Sequence, residues 1–185
     1  TVENVQDGSA PNGNQRGWGI YVANAVDDAA NTVTIENSTV GTFQKNGITV
    51  VNGAAVVTHN TVYGTTTADI AQNGIEMWGA SGTVDHNTIS GVGYTNAQNG
   101  ATASGVLSLN SSHLSIDSNV ITATGAYTTG VSAVNYAGMQ SDVSVTNNTI
   151  TGAGPTGVGL GAPNYSTGVY YQDGTGGAVN GNTIS

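Results

Sequence analysis

A hexapeptide with Ile or Val at its first and sixth positions and a polar residue, usually Asn, at its fourth recurs along the whole chain. The copies are Ile35 to Val40 (IENSTV), Val57 to Val62 (VTHNTV), Val84 to Ile89 (VDHNTI), Ile116 to Ile121 (IDSNVI), Val145 to Ile150 (VTNNTI) and Val179 to Ile184 (VNGNTI). Thr1 and Val2 look like the tail of a seventh. Measured between final residues, from Val2 through Val40, Val62, Ile89, Ile121 and Ile150 to Ile184, the intervals are 38, 22, 27, 32, 29 and 34 residues. The spacing is loose, but each interval is long enough for one coil of chain.

Each interval also holds a Gly followed by an alternating apolar stretch: Gly19 to Val22, Gly47 to Val50, Gly74 to Met77, Gly105 to Leu107, Gly130 to Ala133 and Gly168 to Tyr170. Period-2 alternation points the first and third residues after each Gly inward and the middle one outward. The Gly itself is expected to supply the backbone freedom of a sharp corner. Strand, turn, strand and a variable loop, repeated six times, predict an all-β solenoid. A single coil cannot bury its apolar face alone, so stacking on neighbours makes the core.

The fourth hexapeptide position reads Ser38, Asn60, Asn87, Asn119, Asn148 and Asn182. In coils stacked about 4.8 Å apart these side chains form a column. Asn suits it because an amide can donate to one neighbouring coil and accept from the other, and because Asn tolerates the left-handed backbone of a tight bend.

Composition agrees and excludes several functions. Asp, Glu, Lys and Arg make up 7% of the chain, whereas Gly fills 28 of 185 positions; about 25% charged residues are usual. Arg16 and Lys45 are the two basic residues, against eleven acidic ones, and a net charge of -9 opposes binding to nucleic-acid phosphates. No apolar run approaches the roughly 20 residues of a membrane-spanning helix. The absence of Cys removes disulfides, thiolate metal sites and cysteine nucleophiles.

Coils such as Gln72 to Gly91 (QNGIEMWGASGTVDHNTISG) and Phe43 to Gly64 (FQKNGITVVNGAAVVTHNTVYG) resemble the parallel β-helix repeat proteins of the pectate-lyase-like class. The likeness covers nearly the whole chain. It implies a right-handed, single-stranded parallel β-helix of three sheets and about six coils over residues 1–185, in keeping with the handedness of parallel crossovers. It leaves function open, because the class contains lyases, hydrolases, epimerases, adhesins and structural arrays.

A polysaccharide-active site on such a solenoid is expected on the outward residues of the Gly-led strands: Tyr21, Thr49, Glu76, Leu107, Ser132 and Tyr170. Glycoside hydrolysis ordinarily uses two carboxylates, and this row offers Glu76, with Asp69 in the preceding loop as a possible second. The resemblance to lyases asks for a basic group and carboxylate-bound calcium; Arg16 and Lys45 precede the strands closely enough to reach round. Tyr21, Trp78, Tyr94 and Tyr170 are candidate sugar contacts. They belong to a larger set with Trp18, Tyr127, Tyr136, Tyr165 and Tyr171, which fits a saccharide platform, a protein interface or simple loop cover.

His59 and His86 share one position in successive hexapeptides. Two stacked imidazoles can relay a proton or hold a metal, although the same column continues with Asn37, Ser118, Asn147 and Gly181, as polar stacking in a turn would. Asp85 and Asp117 fall in adjacent coils, where a hard cation such as calcium would relieve their repulsion; solvated carboxylates fit as well. Nothing in the sequence calls for another cofactor.

The sequence opens and closes in mid-repeat, without a capping segment. The expectation is a structural or adhesive solenoid, extracellular or at the cell surface, whose copies stack end to end into a filament or which forms part of a longer protein. The alternative is a polysaccharide-binding or polysaccharide-processing module (lyase, hydrolase or uronan epimerase-like), with Glu76 and Asp69 as acid and base and Arg16 among the substrate contacts.

Overall fold

A computed structural model describes residues 1–8, 14–24, 31–65, 70–94, 101–136, 138, 141–152 and 167–185. These form twenty strands, numbered in chain order, and every pairing among them is parallel. The first sheet stacks β1 (Val2–Glu3), β4 (Thr39–Gly41), β7 (Thr61–Tyr63), β10 (Thr88–Val92), β13 (Val120–Ala123), β16 (Thr149–Gly152) and β20 (Thr183–Ile184). The second stacks β2 (Ile20–Ala23), β5 (Asn46–Val51), β8 (Asn73–Trp78), β11 (Ala103–Leu109), β14 (Thr128–Val134) and β17 (Thr167–Gln172). The third stacks β3 (Val33–Glu36), β6 (Ala54–Thr58), β9 (Ser81–Asp85), β12 (Leu114–Asp117), β15 (Ser141–Thr146) and β18 (Thr175–Gly176), with β19 (Val179–Asn180) also paired to β15. The chain visits the second, third and first sheets in turn, so three strands make a coil and β1 precedes six of them.

Strand register follows the hexapeptides residue for residue. Their final aliphatics pair down the first sheet as Val2, Val40, Val62, Ile89, Ile121, Ile150 and Ile184. Their first residues pair down the third as Ile35, Val57, Val84, Ile116, Val145 and Val179. The second sheet adds Ile20, Ile48, Ile75, Val106, Val131 and Val169. These columns meet in one core along the axis, in which Ile48, Ile75, Ile89, Ile116 and Ile121 are fully buried.

Each hexapeptide is thus a strand end, a corner and a strand start, and the corner's chemistry differs from the sequence expectation in one respect. The left-handed residue is the third, not the fourth: Asn37, His59, His86, Ser118 and Asn147 have φ between 50° and 55°. Asn and His tolerate this region better than most residues. The fourth residue is turned inward for hydrogen bonding. Asn87 Oδ1 accepts from Asn60 N (2.9 Å) and Asn60 Nδ2 (3.0 Å), and Asn87 Nδ2 donates to Val57 O (2.8 Å) and Asn119 Oδ1 (3.0 Å). The same pattern runs through Asn119 and Asn148 to Asn182, and Ser38 N donates to Asn60 Oδ1 (3.0 Å) at the other end. These amides therefore satisfy corner backbone groups as well as one another, which lets Asn60, Asn87, Asn119 and Asn148 be buried.

The Gly of each second-sheet strand also has a different cause from the expected one. Gly47, Gly74, Gly105 and Gly130 do not have a left-handed backbone. What they need is room: a Cβ on Gly74 would lie 2.5 Å from Ile89 Cγ2 and 2.6 Å from the carbonyl oxygen of Gly105 in the next coil. The first and second sheets approach closely enough there to exclude even a methyl group.

Candidate functional site

The outer face of the second sheet is where the coils stop repeating. Its central column pairs Tyr21, Thr49, Glu76, Leu107, Ser132 and Tyr170 in register, the row expected from alternation. Outward does not mean exposed here: Thr49 and Ser132 are buried, and Glu76, Leu107 and Tyr170 are half-buried. A groove of about 470 Å³ lies over this face, with Lys45, Glu76, Ser132, Tyr136, Tyr170 and Gln172 in its wall.

Loops enter the site through buried amides. Gln72 Nε2 donates to Phe43 O (2.6 Å), and its Oε1 accepts from Thr65 N (3.0 Å), which fixes the approach to β8. Gln44 does the same for the first coil, accepting from Asp7 N (3.1 Å) and donating to Asn14 O (3.2 Å). Beside the Gly column runs a second polar column, Asn46, Asn73, Ser104, Thr129 and Thr167. In it Asn73 Nδ2 donates to Asn46 Oδ1 (3.1 Å) and Ser104 N donates to Asn73 Oδ1 (3.0 Å). The sequence signal for this column is a polar residue directly before each of these Gly, which alternation of apolar residues alone does not single out.

Glu76 is held from one side. Asn46 Nδ2 donates to its Oε2, as does Thr49 Oγ1 at 3.5 Å, while Asn46 Nδ2 also reaches Thr49 Oγ1 (3.0 Å). Burial pushes the Glu76 carboxyl above the usual glutamate range, against the attraction of Lys45 and the bonds from Thr49 and Asn46. Lys45 Nζ donates to Ala71 O (2.9 Å), and burial lowers its ammonium pKa, with Glu76 opposing. Among the described residues, the groove therefore contains one carboxylate and one lysine, both partly removed from water.

The other candidates are distributed as follows. Arg16 is exposed and does not line the groove; the cation there is Lys45. Asp69, with Tyr165, lies outside the described residues. Tyr170 lines the groove, its hydroxyl donating to Gln172 Oε1 (3.1 Å). Tyr21 is exposed at the first coil and stacks on Trp18 with ring centroids 4.6 Å apart, and Trp78 is exposed beside the groove, two residues along from Glu76. Tyr94 is not a surface contact. It is 3% exposed, set edge-on to Tyr127 in a small apolar cluster with Ala71, Ala103 and Ala126, because a coil corner that departs from the main core needs its own cover. Tyr171 turns inward at the sixth coil, where its hydroxyl donates to Val143 O (2.5 Å).

Asp85 and Asp117 are in register neighbours, as expected, but each faces its own donors. Thr58 Oγ1 donates to Asp85 Oδ2 (3.1 Å); Asp117 accepts from Thr146 Oγ1 (2.5 Å), Asn147 Nδ2 (2.8 Å) and Ser118 Oγ (2.7 Å). Those hydroxyl bonds hold the Asp117 carboxyl below the usual aspartate range. Among the described residues no three or more His, Asp and Glu side chains gather as a metal cluster.

A family model described as a right-handed β-helix region matches residues 18–185. The chain belongs to that family. No curated protein and no solved structure matches it. Membership fixes the hand of this β-helix and agrees with its three parallel sheets; it fits both a pectate-lyase-like protein and a surface solenoid, so the groove has to be read on its own chemistry.

Proposed function

We propose that this β-helix is an adhesive solenoid at the cell surface or outside the cell, which holds a polysaccharide along the outer face of its second sheet. The observation that carries the reading is the groove itself: Tyr136 and Tyr170 line it with aromatic rings, while Glu76 and Gln172 line it with polar groups suited to hydroxyls. Aromatic faces with a few fixed polar groups are what a chain of sugar rings requires. Charge narrows the choice of polymer. With a net charge of -9 and a carboxylate in the lining of the groove, a neutral glycan is favoured over a polyanion.

Binding without cleavage is favoured because, among the described lining residues, Glu76 is the one carboxylate, and glycoside hydrolysis ordinarily needs two. A second reading, elimination on a uronate polymer, has one observation in its favour: burial lowers Lys45, as a general base needs.

Affinity electrophoresis through gels containing a neutral glucan, a xylan or a polyuronate tests both. Retardation by a neutral polymer is expected, weakened about tenfold or more by the double substitution Tyr136→Ala and Tyr170→Ala. Absence of retardation by every polymer, or retardation indifferent to those substitutions, would sink the binding reading. Release of an ultraviolet-absorbing unsaturated uronate, lost in Lys45→Gln, would replace it with the second.

A further inference from the structure

On the opposite side of the coil from the groove, at the corner between the third and first sheets, two histidines stand in a geometry that the glycan reading does not use. His59 and His86 stack with centroids 5.0 Å apart and planes within 2°. Both are exposed, and both occupy the left-handed corner position, at φ 53°.

Hydrogen-bond bookkeeping fixes their tautomers. Asp85 Oδ2 can only accept, so His86 Nδ1, 2.8 Å away, carries the proton. Thr58 Oγ1 gives its own proton to the same Asp85 Oδ2, so towards His59 Nδ1, at 2.8 Å, it acts as acceptor. His59 therefore also carries its proton on Nδ1. Both Nε2 lone pairs are left bare, on parallel rings related by a single coil step. A neutral imidazole whose Nδ1–H is held by a carboxylate is the arrangement that metal-binding histidines use, with the carboxylate raising ligand basicity.

We propose that His59 and His86 form a site for a borderline divalent transition metal, of the zinc, nickel or copper kind. Two imidazole nitrogens select such ions over calcium or magnesium. Tetrahedral coordination at about 2.0–2.1 Å sets the two nitrogens roughly 3.3 Å apart with converging lone pairs, so binding requires each exposed ring to turn by roughly 55° out of the parallel 5.0 Å stack. Water completes the shell. The surroundings are anionic: Glu36, Asp85 and Asp117 stand in the neighbouring column.

Titration of the chain with zinc chloride, followed by calorimetry, and with cupric ion, followed by electron paramagnetic resonance, tests this. His59→Asn and His86→Asn are the informative variants, because Asn already occupies the same left-handed position at Asn37 and Asn147 and leaves the corner intact. The expected result is one zinc ion per chain, a loss of at least about tenfold in affinity in either variant, and no change in His113→Asn, a substitution of the exposed histidine just before β12 and outside the hexapeptides. Asp85→Asn, which loosens the ring but removes no ligand, should weaken binding about tenfold. The copper spectrum should show two nitrogen ligands, reduced to one in each histidine variant. No zinc binding, binding indifferent to both histidine substitutions, or zinc displaced by an equal amount of calcium would overturn the proposal, the last by placing the ion on carboxylates.

Discussion

The corner column of asparagines and the outer column of the second sheet are built by the same stacking operation and have opposite character. At the corner, Asn60, Asn87, Asn119 and Asn148 repeat one residue, bury it, and use its bonds to satisfy corner backbone as well as each other. On the outer face the equivalent register positions hold Tyr21, Thr49, Glu76, Leu107, Ser132 and Tyr170, no two neighbours alike. In a solenoid the backbone makes every coil step nearly equivalent, so a column that keeps its residue is answering a demand of the fold. One that changes its residue at every step is free to answer something outside the fold. The third hexapeptide position is intermediate: the left-handed backbone restricts it to Asn, His, Ser and Gly, and within that limit it varies.

The strongest attempt to break this contrast is Asn87→Ala. It strands Asn60 N–H and Nδ2, Val57 O and Asn119 Oδ1 in part, and should cost on the order of 3 kcal/mol in urea unfolding, at an unchanged m-value. Thr49→Ala, equally buried but in the outer column, should cost under about 1 kcal/mol. Equal losses would show that the outer column is structural after all. Gly74→Ala comes next, at about 2 kcal/mol, since its Cβ must displace Ile89 or the Gly105 carbonyl; a neutral result would mean that the sheets can part at that corner.

Glu76→Gln sharpens the other side of the comparison. Losing a charged acceptor should lower glycan affinity about tenfold, with little loss of stability. Because burial raises its folded pKa, the folded chain holds the proton longer than the unfolded one. The wild type should therefore lose stability relative to Glu76→Gln as pH rises from the ordinary glutamate value through the folded one, which melting curves across that window would record. Asp117→Asn should give the smallest effect and the opposite sign. The folded pKa is depressed, so the wild type's advantage is present above the ordinary aspartate value and fades as pH falls through the folded one. A constant difference between the two proteins down to low pH would mean that the Thr146 and Ser118 bonds do not persist in solution.

The part of this architecture that repeats was legible in the sequence because repetition gives register directly. Val40, Val62, Ile89 and Ile121 had only to be aligned for the first sheet to follow. Physical cause was harder to read than position. The pattern suggests backbone freedom at Gly74, which answers a shortage of space, and a left-handed Asn87, where the left-handed residue is His86. Both differences arise because a one-dimensional pattern shows that a residue type is demanded without showing which neighbour demands it. The groove was half legible. Alternation gives Glu76 and Tyr170, but the burial of Tyr94 and the place of Lys45 rather than Arg16 in the groove depend on segments between the strands that differ in length from coil to coil and carry no repeat.

The parallel strand pairing has a mechanical consequence. Every ladder bond between coils, and each asparagine bond that passes from one coil to the next, points along the long axis of the solenoid. The coil interfaces lie in series along that axis, so each bears the whole of a tension applied at the two ends and they open one after another, the weakest first. Since the intervals run from 22 to 38 residues, each opening releases roughly 70 to 140 Å of chain at about 3.3–3.6 Å per residue. An element of this kind yields in small successive lengths, so a polymer held on its flank would be let out gradually under a pull, with the strain spread over several coils.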